Sequence, residues 1–229
     1  MRRIKNPGIN RSFQKQLISL PIGWLLVVIC LGYFFIQMAY YQWILSDNLL
    51  EDYYHSVGSD KIISSLIDMH KSRRWIYIIL HQVLILSKIV MVFLALFIGG
   101  FLTRYKLGNL TLLRVVLISE ILVLSFELLK LNWLLVQYPQ SLDQVLRFSP
   151  LSLANIVYPD NSQFWLWYLI SYINVFEIVY IVFLCLVFHY SFRTPWRNTL
   201  RVVPLSYVAV LLIWLCISST FLFYAEVAN

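Results

Sequence analysis

Apolar residues recur along this chain in long runs broken by short polar stretches, not in the alternation of strands or the one-sided stripe of a soluble helix. From Ile22 to Leu45 no side chain is charged, and further runs follow at about 75–102, 110–138, 164–190 and 202–224. Each exceeds the ~20 residues that a helix needs to cross a hydrocarbon layer of ~30 Å. The pattern predicts an all-α polytopic transmembrane helical bundle of five spans, a single domain over residues 1–229. The first run is too long for a signal-peptide core and lacks a small-residue cleavage site, so it is expected to remain as a span.

The polar stretches carry signals of their own. Residues 1–21 hold Arg2, Arg3, Lys5, Arg11 and Lys15 with no acid, and Phe13, Leu17 and Leu20 give an apolar side. This predicts a basic cytoplasmic segment resting on anionic lipid headgroups. Between the first two runs, Ser59 is placed to cap a helix through His70, with Ile62, Ile63, Leu66 and Ile67 on one side, which predicts a short amphipathic helix at the outer interface. In the second outer loop, Ser149 followed by Pro150 predicts the start of a short helix dipping back toward the membrane. Pro204 is expected near the start of the last span, where proline is tolerated. With the N-terminus inside, ten Lys and Arg flank the cytoplasmic ends and five the other side, the bias of a bacterial cytoplasmic (inner) membrane protein with its C-terminus outside.

Composition agrees: 60% hydrophobic, 13% charged, mean hydropathy +0.74. The net charge of +7 would suggest nucleic acid in a soluble chain, but the basic residues lie between apolar runs and at the N-terminus, so no nucleic-acid partner is expected. Cys30, Cys185 and Cys216 all sit inside apolar runs, which argues against a disulfide framework or a thiolate metal site.

The residues that need explaining are charges inside the runs: Lys88, Glu120, Glu127, Lys130 and Glu177. Each costs at least ~2.5 kcal/mol at a span centre and should face the bundle interior. Glu120, Glu127 and Lys130 share one side of the third run, and Glu127 reaches Lys130 one turn away. Ser171, Asn174 and Glu177 form a stripe on a continuous fourth helix, and Tyr77, His81 and Lys88 one on the second. Measured along the helices, Lys88, Glu127 and Glu177 come to one level roughly 17–20 Å from the outer ends, giving Lys88 two acidic candidates. Glu120 and Glu177 have no local partner. This intramembrane polar cluster, Asn174 included, reads either as glue that fixes helix register or as a proton- or ion-coupled site. His55, His70, His81 and His189 are dispersed, and no phosphate loop, dinucleotide fingerprint or nucleophile elbow occurs, so neither metal nor cofactor is expected.

The stretch Phe148-Ser149-Pro150-Leu151-Ser152-Leu153, followed by Tyr172-Ile173-Asn174-Val175-Phe176-Glu177-Ile178, resembles the corresponding part of the Yip1 domain family. The likeness covers the C-terminal third, and Asn174 and Glu177 are the positions that match. The cytoplasmic DLYGP motif and long N-terminal region of eukaryotic members are missing. The resemblance therefore implies a bacterial five-span Yip1-like membrane protein, and without that motif it does not carry a Rab-linked trafficking role over to this chain. With loops too short for a soluble active site, the expectation is a non-enzymatic protein that organises membrane or partner proteins, a second copy of itself among them. The alternative is a small transporter, channel or transport-complex subunit using the carboxylate cluster.

Overall fold

A computed structural model describes residues 19–45, 49, 60–103, 107–157 and 164–227, and these are almost entirely helical. The basic residues Arg2, Arg3, Lys5, Arg11 and Lys15 and the cap at Ser59 lie outside the described residues. Helix α1 spans Ile22–Ala39 and runs on as a π-helical turn, Tyr40–Ile44. α2 is Asp60–Leu102 and α3 is Asn109–Gln137. Two short helices follow, α4 (Leu142–Leu146) and α5 (Ala154–Val157). Then come α6 (Phe164–Ser171), α7 (Val175–Phe192) and α8 (Trp196–Val227).

Four stretches are long and apolar enough to cross a membrane: Ile22–Ile44, Ile67–Leu102, Val175–Phe192 and Trp196–Thr220. Their outer surfaces carry large apolar side chains in the open, among them Trp24, Phe35, Ile79, Val90, Ile178 and Leu212. So much exposed hydrocarbon has water as the wrong solvent and lipid as the right one, which makes the chain a membrane protein. α3, which carries Arg114, Glu120, Glu127 and Lys130, is not among the four. It is also the most enclosed helix. It packs on α1, α2 and α7, and buries Leu112, Val115, Val116, Leu117, Ser119, Glu120, Leu124, Leu131 and Leu134. A helix screened by three neighbours can carry charges that one facing lipid could not.

α8 packs on α2, α6 and α7, so α1, α3, α7, α8 and α2 close a ring, with α2 also touching α3. One core joins them, built on Ile29, Val92, Leu96, Val116, Leu184, Phe188 and Val203. Gly99 allows α2 its close approach to α8, since a Cβ there would run into Ser206 Oγ. Arg114 Nε donates to Leu20 O at 3.1 Å, tying the start of α3 to the start of α1, so the two run parallel.

Several expectations need correction. The amphipathic helix ending at His70 is not a separate element, because α2 continues from Asp60 through Lys71, Ser72, Arg73 and Arg74 without interruption. That tetrapeptide holds no glycine or proline to stop it. α8 begins at Trp196, so Pro204 is interior, and Leu200 O loses the N–H it would otherwise accept from. No helix begins at Ser149-Pro150. Residues 151–153 form a turn with a single bridge residue at Ser152, and the helical turn comes later, at Ala154–Val157. The fourth run is not one helix: it breaks at Tyr172, Ile173 and Asn174.

Candidate functional site

The break in the fourth run organises the polar interior. A helix interrupted among apolar neighbours frees backbone donors and acceptors that must find partners within the protein. Here they find residues 151–153. Leu153 N donates to Ile173 O at 2.8 Å and Val175 N to Leu151 O at 3.2 Å, and Ser152 and Asn174 form an isolated antiparallel bridge. Leu151 takes a left-handed φ of 59° to present this edge. Ser149 Oγ donates to Ser171 O at 3.4 Å, so it closes the end of α6 and does not cap a helix of its own. Asn174 is the N-cap of α7: its Oδ1 accepts from Glu177 N at 2.8 Å, and its Nδ2 donates to Ser171 O at 3.0 Å. The expected Ser171, Asn174 and Glu177 stripe is thus replaced by a hinge, with Asn174 holding both sides and Glu177 in the first turn beyond it.

Glu120 is the most buried of the carboxylates, 1% exposed. Its Oε1 accepts from Tyr33 OH of α1 at 2.9 Å and from Lys88 Nζ of α2 at 3.4 Å, while Oε2 has no partner. Lys88 therefore pairs with Glu120 and not with Glu127 or Glu177. Glu127 lies about 10 Å further along α3, where it meets Lys130 in the expected i,i+3 ion pair at 2.7 Å. Glu177 Oε2 accepts from Tyr207 OH of α8 at 2.6 Å, the short distance of a charge-assisted bond. Tyr180 completes the level: it is 1% exposed, its ring stands 5.0 Å from that of Tyr207, and Lys88 Nζ lies 5.4 Å from its centroid.

Apart from Tyr180, these groups line one cavity of about 510 Å³ between α1, α2, α3, α6, α7 and α8. Lys88, Glu120, Glu127, Lys130, Asn174 and Glu177, the six residues expected to form a polar cluster, all lie on its wall, and so does His81. The Lys88 side chain keeps 30% of its accessible surface although protein surrounds it, so that surface belongs to the chamber. Tyr77 is 41% exposed and lies off the lining.

Sequence reasoning missed the tyrosines. Tyr33 and Tyr207 donate to the two carboxylates that had no local partner, yet within apolar runs they read as ordinary aromatics. A usable signal existed, because a phenol well inside a span needs a hydrogen-bond partner and so points to an acceptor at its depth. Among the described residues no three His, Cys, Asp or Glu side chains are grouped to hold a metal. His189 Nδ1 instead lies 2.7 Å from Thr194 O, at the turn into α8. No family model, curated protein or solved structure matches the chain.

Proposed function

We propose that this chain is a five-span protein of the bacterial cytoplasmic membrane, N-terminus inside and C-terminus outside, that acts as a small transporter, channel or transport-complex subunit. One observation carries the reading: a cavity of about 510 Å³, with Glu120, Glu177 and Lys88 on its otherwise largely apolar wall, lies between the helices beside an interrupted helix. Broken helices and buried ionisable groups at mid-depth are the parts from which membrane proteins build binding sites for charged species. The enclosure of α3 by three neighbours supports counting it as the fifth span, and the ten-to-five distribution of Lys and Arg supports the orientation. The likeness to the Yip1 domain family belongs to the same proposal. Its two motifs, residues 148–153 and 172–178, meet at the hinge, which favours reading them as one unit.

A second reading, a non-enzymatic bundle that organises membrane or partner proteins, is favoured by the partners that the polar groups already have: Lys88 with Glu120, Lys130 with Glu127, Tyr207 with Glu177. In that case the cluster fixes register and nothing passes. Infrared titration of reconstituted protein, wild type against Glu177→Gln, separates the two. A Glu177 carboxyl band that titrates and exchanges with deuterated water marks a hydrated site, and Glu177→Gln should then abolish uptake or proton leak in vesicles. A band that stays in one state and shielded from exchange refutes the transport reading.

A further inference from the structure

The wall of the chamber does not balance its charge. Glu120, Glu127 and Glu177 face Lys88 and Lys130, so the carboxylates exceed the ammoniums by one. The Glu127–Lys130 pair at 2.7 Å is self-contained. What remains is Lys88 with Glu120 and Glu177, in ion-pair contact with Glu120 alone and at 3.4 Å, longer than the hydrogen bonds that Tyr33 and Tyr207 give those carboxylates. Glu120 Oε2 is buried and unpartnered, an acceptor with no donor. Glu177 has a neutral phenol for its hydrogen-bond donor. A surplus of carboxylate in a low-dielectric interior is strongly unfavourable, and a solute that relieves it must bring positive charge.

The rest of the lining narrows the choice. Trp167, Tyr168, Tyr172 and Trp214 line the same cavity as the carboxylates. A volume of about 510 Å³ matches sites for organic molecules, and a bare metal ion would leave most of it unfilled. Excess carboxylate repels anions. Aromatic rings together with carboxylates are the surroundings that recognise substituted ammonium groups, whose weakly hydrated charge is attracted to ring faces as well as to anions.

We infer that the chamber binds an amphiphilic organic cation, a substituted ammonium carrying an aromatic or aliphatic body, with its charged head beside Glu177. This deepens the transport reading and rests on it, since the chamber must admit a solute. The head supplies the missing positive charge, and the body lies among the tryptophans and tyrosines.

The test uses the full chain in lipid nanodiscs, with benzyltrimethylammonium as probe and its neutral carbon isostere, neopentylbenzene, as control. Binding is read by tryptophan fluorescence, because Trp167 and Trp214 line the chamber, and by equilibrium dialysis against empty nanodiscs. The expected result is saturable binding of the cation, with the isostere weaker by roughly tenfold or more and Glu177→Gln weakening the cation to a similar extent. Trp214→Leu should weaken the cation several-fold and serves as a second variant. Equal binding of cation and isostere, an unaffected Glu177→Gln, or no saturable binding overturns the inference. If the cation does not bind while the Glu177 carboxyl band still titrates and exchanges with deuterated water, this inference alone fails. If that band is shielded as well, the transport reading falls with it.

Discussion

Replacing Lys88 by methionine keeps most of the side-chain volume and removes the one cation that touches Glu120. At 3.4 Å and an effective dielectric of about 20, the attraction between the two charges is about 5 kcal/mol. Part of this is lost because 30% of the Lys88 side chain opens on the chamber, where water screens the charge. The remainder is still large, because Glu120 is 1% exposed and would keep Tyr33 as its hydrogen-bond donor and no cation in contact. Breaking a buried pair from one side strands the other ion, at a typical cost of 3–5 kcal/mol when dry, so we expect Lys88→Met to destabilise the bundle by about 2–4 kcal/mol. In a Glu120→Gln background the same change should cost under ~1 kcal/mol, since no buried charge is then stranded. The measurement is a double-mutant cycle on reversible unfolding of the full chain in mixed micelles. A loss below ~1 kcal/mol for Lys88→Met alone, or equal losses in both backgrounds, would refute the assignment of Glu120 as a buried ion dependent on Lys88.

Asn174→Ala should cost about 1–2 kcal/mol in the same unfolding assay, because it removes the cap on Glu177 N and the bond to Ser171 O, whereas Asn174→Asp should keep the cap and lose less. The amides of Leu153 and Val175 should resist hydrogen exchange as strongly as the interior of α7. Fast exchange at both would mean that the pairing of residues 151–153 with the hinge is not maintained in the membrane. Gly99→Leu should destabilise by about 1–3 kcal/mol through overpacking against Ser206 and Val202 of α8, while Gly23→Leu, where a Cβ meets nothing, should be close to neutral. Tyr207→Phe removes the 2.6 Å bond to Glu177 and should shift the Glu177 carboxylate stretching bands in the infrared. Unchanged bands would show that the phenol does not touch that carboxylate.

The sequence by itself determined the class of this protein and which residues are out of place in it. Long apolar runs are best satisfied by helices in lipid, because helical backbone needs no outside partner, and so α1 and α3 were legible within a few residues of their ends, and α2 and α8 at their C-terminal ends although both begin earlier than expected. Charges inside those runs are costly enough that their convergence could be expected before any geometry was known, and the Glu127–Lys130 pair follows from spacing along one helix. Partnership between helices was decided by the tertiary structure, because it depends on rotation and depth that hydropathy does not encode. Lys88 could have met Glu127 or Glu177 by depth alone, and the packing of α2 on α3 gives it Glu120. The hinge at Tyr172, Ile173 and Asn174 was hidden for a related reason. No proline or glycine marks it, and the local pattern reads as continuous helix. What stabilises the break is a segment some twenty residues earlier, whose backbone supplies the bonds that the helix gives up. The tyrosines of the chamber were hidden because a buried phenol tells only that it needs a partner, and only the fold shows which acceptor stands at its depth.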